Sequence, residues 1–371
     1  MKTFVKIECF YSNIIVFFIN FALDMDKKNI VFIINPMSGT SEKKDVPGII
    51  DEVIDKNLFN TRIVYTEYAG HAYELAHAET VIGTDIVVAV GGDGTVNEVA
   101  RGLVESNTAL GIVPCGSGNG LARHLMLPLN VRGAMEVINT NLVHDLDYGI
   151  INNHPFFCTC GMGFDAFISK KFADAGKRGP LTYIENVLKE GLKYKPETYE
   201  LTLDDNVKEP HKAFLISIAN ASQYGNDAYI APQASMKDGL LDVVIMEPFD
   251  ILEAPQVGLD LMNKTLNKSS KIKCFKARDI KIKRSQPGVI HFDGDPIEEG
   301  SELHIELRHK AIKVVVNPEA DSSKRQPNVV QSAFSMLFNE LNTVRNEVAH
   351  SVTHPVKQVK SINSFIQSKL G

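Results

Sequence analysis

The chain has 371 residues, enough for two domains of ordinary size, and its 44% hydrophobic and 23% charged residues sit near the average for folded globular proteins. Its 39 Lys and Arg stand against 45 Asp and Glu, a net charge of −6 that lacks the basic excess of a nucleic-acid binder. Cys9, Cys115, Cys158, Cys160 and Cys274 show neither zinc nor disulfide-framework spacing, which points to buried free thiols and the cytoplasm.

"CFYSNIIVFFINFAL" (9–23) is apolar and follows Lys2 and Lys6 in the manner of a signal or anchor segment. It is shorter than the roughly 20 apolar residues a spanning helix needs, and Asn13 and Asn20 interrupt it. Met25 directly precedes a strand pattern, so residues 1–25 read as an N-terminal extension ahead of the natural start; a membrane tether is the alternative. From about residue 29 strands and helices alternate. "NIVFIINP", "TRIVYTEY", "DIVVAVGGDG" and "LGIVPCGSGNG" are strands, separated by helices at Val46–Leu58, His71–Glu79 and "TVNEVARGLVE", with "LARHL" opening another. That order predicts a doubly wound, Rossmann-like parallel sheet over 26–147. Residues 148–318 are rich in short alternating strands, helical only near 166–194 and 250–268, and predict a mostly antiparallel β-sandwich. Residues 319–371 read as a polar linker and an amphipathic helix, with Phe334, Leu337, Phe338, Leu341, Val344 and Val348 on one face, packing on its own protein or on a second copy in a homodimer, with a membrane surface as the alternative.

Glycine-rich turns follow three of the parallel strands: "NPMSG" (35–39), "GGDGT" (91–95) and "CGSGNG" (115–120); "GMGFD" (161–165) lies at the domain boundary. Open α/β sheets bind ligands outside the carboxyl ends of their strands. Glycine lets the backbone approach a phosphate, and the following helix offers unpaired N–H groups and a positive dipole end. Each turn alone is explained by the need for a tight strand-to-helix connection. Three in one sheet, with Asp93, Asn97, Ser117 and Asn119 beside them, point to a nucleotide. Neither the P-loop lysine pattern nor a true G-x-G-x-x-G fingerprint is present at these turns.

The ordered set "NPMSG", "GGDGTVNEV", "PCGSGNGLARHL", "GMGFDA", "APQASMKDGLLDVVI" and "HFDGDPIE", spanning about residues 29–317, resembles the diacylglycerol kinase catalytic-domain family, which includes bacterial lipid kinases and sphingosine and ceramide kinases. The resemblance implies an NAD kinase- or phosphofructokinase-like nucleotide domain and ATP-dependent phosphorylation of a hydroxyl of a diacylglycerol-like or sphingoid lipid with Mg2+, and "GSGNGLA" is closer to the sphingosine-kinase version of that loop. It implies ATP contacts at Asn35, Pro36, Met37, Ser38, Gly39, Thr66, Gly91, Gly92, Asp93, Gly94, Thr95, Val96, Asn97 and Ser117, with Asp93 organising metal and phosphates. It implies a magnesium site at Asp238 and the carbonyls of Ser235 and Leu240, joined through water by Asp147. An all-oxygen shell suits that ion, although "KDGLLD" alone would be a hairpin turn.

"HFDGDP" resembles the family's Asp-Gly-Glu triplet, with Asp295 in place of the usual glutamate. Phosphoryl transfer to an alcohol needs a carboxylate to accept the hydroxyl proton, and Asp293 and Asp295 are both candidates. Asp165 could lie near the acceptor's head. Arg123, Lys177 and Arg178 could clamp phosphate or face anionic lipid, or be solvated helix surface. His71, His77 and His124 read as surface. The acceptor lies in a bilayer, so peripheral membrane contact of a cytoplasmic enzyme is expected. Two rivals stand beside this reading: an NAD kinase-like nucleotide kinase, and an inactive lipid- or nucleotide-binding regulator, suggested by Asp295.

Overall fold

In the computed structural model, the described residues are 27–38, 45–175, 194–250 and 253–320. The N-terminal extension, the amphipathic C-terminal helix, Gly39, Lys177 and Arg178 lie outside them.

The first half runs β1 (Lys28–Ile34), α1 (Val46–Val53), β2 (Phe59–Tyr65), α2 (His71–Ile82), β3 (Ile86–Gly91), α3 (Asp93–Leu103), β4 (Ala109–Pro114), α4 (Gly120–His124) and α5 (Val131–Asn139). β3 and β4 are buried at every position, as strands covered on both faces must be, whereas edge strand β2 is buried only at Phe59. The parallel order is β4-β3-β1-β2. From β1 the chain steps one way to β2, then back past β1 to β3 and on to β4. Right-handed crossovers therefore put α1 on one face and α2 and α3 together on the other. The packing of α2 against α3, and of α1 against α5, agrees. α1 ends at Val53, short of the expected Leu58, because Ile54 turns to extended backbone and is buried. The sequence reading missed α5, although Asn130 caps it by accepting from Gly133 N–H.

The second half runs β5 (Val143–Ile151), β6 (His154–Phe156), β7 (Thr159–Gly163), α6 (Phe164–Ala175), β8 (Glu197–Leu203), β9 (Asn206–Val207), β10 (His211–Ala213), β11 (Leu215–Ala219), β12 (Leu241–Met246), α7 (Ala254–Met262), β13 (Ile272–Ala277), β14 (Asp279–Arg284), β15 (Gly288–Phe292), β16 (Asp295–Glu299) and β17 (Glu302–Val315). One layer is an antiparallel sheet ordered β13-β12-β11-β7-β15-β16. The facing layer is β10-β8-β14-β17, and apolar side chains from both, such as Met162, Ile218, Ile280 and Ile305, form the core between them. This is the expected β-sandwich.

The two halves are not separate sheets. β17 leaves the sandwich, pairs antiparallel with β5 across a bulge between Arg308 and Ile312, and lies parallel to β4 at Val314–Leu110. One continuous sheet of 11 strands results. The boundary expected near residue 147 falls inside β5, and Ile312, Val314, Val315 and Val316 belong to the core of the first half.

Candidate active site

The strand order reverses between β1 and β3, so the loops leaving those two strands diverge and open a crevice at their carboxyl ends, where open α/β sheets bind ligands. Three glycine-bearing loops meet there and are bonded to one another. Asn35 Nδ2 donates to Thr95 Oγ1 at 3.0 Å, and Asn35 Oδ1 accepts from Met37 N–H at 2.9 Å. Asp93 joins the second loop to the third: Oδ2 accepts from Asn119 N–H at 2.9 Å and Oδ1 from Gly120 N–H at 2.7 Å. Asn119, in the left-handed region at φ 51°, closes its own loop by bonding the N–H and carbonyl of Gly116. A Cβ on Gly116 would stand 2.7 Å from Gly92 Cα, so these loops touch backbone to backbone.

The expected ATP residues therefore divide in two. Thr66, Thr95 and Asn97 are buried supports, as is Ser38, while Pro36, Met37, Gly94 and Ser117 are exposed. Asp93, expected to organise metal and phosphates, has both carboxylate oxygens engaged by backbone N–H groups. Arg123 is also turned inward. It pairs with Asp227 at 2.8 Å, donates to Gly118 O at 2.9 Å and is 8% exposed, so it braces the third loop. His124 is not a surface residue: burial, then the Lys237 charge, lowers its pKa to about 4, and its Nδ1 accepts from Ser222 N–H.

The second wall comes from the β15–β16 turn. Asp293, at φ 49°, aims its carboxylate inward and accepts four hydrogen bonds, from the N–H groups of Phe157, Cys158 and Thr159 and from Asn97 Nδ2. Burial still raises its pKa against the pull of those bonds. The Asn97 bond ties this turn to α3, and Asn97 Oδ1 is buried with no partner. Asp295 is the opposite case. It is exposed, and among the described residues its carboxylate makes no hydrogen bond or ion pair. Desolvation first, then the charges of Asp293 and Glu98, raise its pKa; Arg101 and His291 oppose them. A carboxylate at the surface of a crevice, unbound and with a raised pKa, has the properties of a proton acceptor.

Asp165 opens α6 beside this turn, bonded to His291 and Tyr224. Next to it Phe164, Phe214 and Phe249 meet in series, the first pair tilted and the second edge to face, with ring centroids 4.5 and 4.8 Å apart.

At the 235–242 turn, where the resemblance implies a magnesium site, the carboxylate of Asp238 faces a lysine. Asp238 Oδ2 accepts from Lys276 Nζ at 2.8 Å, Oδ1 accepts from Leu240 N–H, and the same ammonium lies 3.1 Å from Asp242. Burial disfavours the ammonium, but the two carboxylates outweigh it and its pKa rises. Asp147, expected to reach an ion through water, is fully buried; it accepts from Gly239 and Lys310 N–H and faces His309 at 2.8 Å. Among the described residues no group of three His, Cys, Asp or Glu could hold a metal. Lys276 thus neutralises Asp238 where the resemblance implies a cation held with the carbonyls of Ser235 and Leu240.

Sequence reasoning missed Glu98, Arg101, Lys276, Tyr224 and His291. Only His291 gave a signal, standing two residues before Asp293 in the same motif.

Residues 29–151 match the diacylglycerol kinase catalytic domain, and residues 158–316 match the YegS C-terminal NAD kinase beta sandwich-like domain. The chain belongs to the diacylglycerol kinase catalytic-domain family. A diacylglycerol kinase of Staphylococcus saprophyticus is 27% identical over 72% of this chain and 89% of its own length. An uncharacterised protein of Synechocystis is 30% identical over 58% of this chain, but the match spans only 51% of that protein. The crystal structure of a diacylglycerol kinase from Bacillus anthracis shares the fold, with a TM-score of 0.62 and 23% identity over 79% of this chain and 98% of that one.

Proposed function

We propose that this chain is a lipid kinase that transfers the γ-phosphoryl group of MgATP to the hydroxyl of a neutral lipid alcohol of the diacylglycerol kind. In this reading the bonded loops of Asn35–Ser38, Gly91–Asn97 and Cys115–Asn119 take the nucleotide, with phosphates facing the N–H groups at the start of α3. Asp295 accepts the hydroxyl proton as the oxygen attacks the γ-phosphorus, and ADP leaves on the opposite side. Magnesium arrives with the nucleotide as part of that substrate and neutralises the phosphates.

The single observation that carries the reading is the contrast within one turn. Asp293 is saturated and structural, while Asp295 is unbound, exposed and raised in pKa. The relatives that are diacylglycerol kinases favour a neutral acceptor, whose head would lie near Asp165, bonded to Tyr224, His291 and Ala166 N–H. The aromatic series beside it would receive an acyl chain. No helix of the described residues is long and apolar enough to cross a membrane, so the protein would meet its acceptor at a bilayer surface by peripheral contact.

The test is incubation of purified protein with γ-labelled ATP, magnesium and vesicles holding diacylglycerol or sphinganine, with NAD offered in parallel. Labelled diacylglycerol phosphate that disappears in Asp295→Asn is expected. Label in sphinganine alone would overturn the neutral acceptor, and labelled NADP without labelled lipid would overturn the lipid kinase.

A further inference from the structure

Three side chains from distant parts of the chain converge beside the turn that carries Asp295. Asp165 belongs to the first turn of α6, Tyr224 to the segment after β11, and His291 to β15. His291 is 2% exposed, and its Nε2 lies 3.1 Å from Asp165 Oδ2. The Tyr224 hydroxyl donates to the same oxygen at 3.2 Å, and Asp165 Oδ1 accepts from Ala166 N–H at 2.8 Å. On the other side of the ring, His291 Nδ1 accepts from Gly294 N–H at 3.4 Å. Accepting at Nδ1 places the ring proton on Nε2, aimed at the carboxylate. Gly161 makes the space: a Cβ there would stand 2.4 Å from Asp165 Oδ2 and 2.9 Å from His291 Nε2.

The consequence lies in the turn. Asp293 and Gly294 are both left-handed, at φ 49° and 92°, so the turn departs from extended backbone just before Asp295. Asp295 has a single methylene, so its carboxylate goes where the backbone puts it. His291 is the side chain that bonds the middle of that turn and, through its other nitrogen, the helix beside the acceptor wall.

We propose that His291 is a positioning residue for phosphoryl transfer: held between Asp165 and the Gly294 amide, it fixes the base-bearing turn relative to the wall that receives the acceptor's head. This rests on the lipid kinase reading above. It assigns His291 no proton transfer and no contact with ATP. A misplacement of about 1 Å in a reacting group costs up to about 100-fold in rate, which sets the scale of the effect.

The experiment measures steady-state kinetics with diacylglycerol vesicles, and ATP affinity by direct binding, for wild type, His291→Leu, His291→Asn and His291→Gln. Leu removes both contacts. Asn keeps an acceptor near the Nδ1 position, and Gln keeps a donor near Nε2. His291→Leu is expected to lower kcat by about 10- to 100-fold with the KM and Kd for ATP within about twofold, and Asn and Gln should each recover part of the loss. Folded variants with kcat within twofold of wild type would overturn the proposal. So would a loss matched by a proportionate fall in the number of ATP sites, which marks partial unfolding. A wild-type protein that phosphorylates no lipid alcohol would instead sink the kinase reading itself, a result visible before any variant is made.

Discussion

Asp293 and Asp295 stand two residues apart and behave oppositely. Replacing Asp293 by Asn exchanges one of its two acceptor oxygens for an NH2 group, so two of its four donors lose their acceptor, and each orphaned buried donor costs about 1–3 kcal/mol. Asp293→Asn should therefore fail as a fold, seen as a lower Tm together with lost activity. Asp295→Asn should keep the wild-type Tm and ATP affinity and lower kcat by about 10²- to 10⁴-fold. Equal Tm losses in the two variants would erase the distinction. Asp295 also sets a pH dependence. It must be ionised to accept a proton, so activity is high above its pKa and falls as the pH drops through it. Because that pKa is raised from 3.8, the acid limb of kcat should lie above the ordinary aspartate range, and Arg101→Met, which removes an opposing positive charge, should move it higher still.

At the scale of elements, the crevice is built by loops that hold one another. Gly116→Ala would drive a methyl into Gly92 Cα and should weaken ATP binding by spreading the second and third loops, with a stability loss of about 1–3 kcal/mol. His124 docks the segment after β11 through Ser222. Its folded pKa of about 4 lies below the ordinary 6.5, so the unfolded chain takes up a proton first as the pH falls between those values. Up to about 3 kcal/mol of stability is lost across that window and is present above it. His124→Gln should flatten the dependence of Tm on pH between 4 and 6.5. The lysine-filled turn predicts that EDTA leaves the Tm of the nucleotide-free protein unchanged; a magnesium-dependent rise would restore the metal shell at Asp238. The sequence made the loops themselves legible, because glycines at strand ends leave a local pattern. The Asp93–Asn119 bond, the Arg123–Asp227 pair and the Lys276 bridge were not legible. Each joins segments 26 to 104 residues apart, and no local rule says which partner a charged side chain will find. The choice between Asp293 and Asp295 was hidden for the same reason: it depends on three backbone N–H groups near residue 158.

In the whole molecule, the alternation of strands and helices made the parallel sheet legible, and the short alternating strands made the sandwich legible. That one sheet serves both was not, since β17 reads like any other antiparallel strand until its register shifts beyond Arg308. Asp147 sits at that shift, bonding the bulge at Lys310 and the Gly239 turn, so a single buried carboxylate holds the joint between the halves. Thermal unfolding should accordingly be one transition, and the fragment 27–142 alone should not reach its native fold; two separable transitions would contradict the shared sheet.

β17 has a further consequence for how the protein is made. β4 waits for its outer neighbour until roughly two hundred further residues have been synthesised. At a synthesis rate of about 5–20 residues per second that is about 10–40 s during which the nascent sheet has an open apolar edge. The outer edge of the nucleotide half thus cannot be covered in the order in which it is encoded, and β4 stays an edge strand until the last strand arrives.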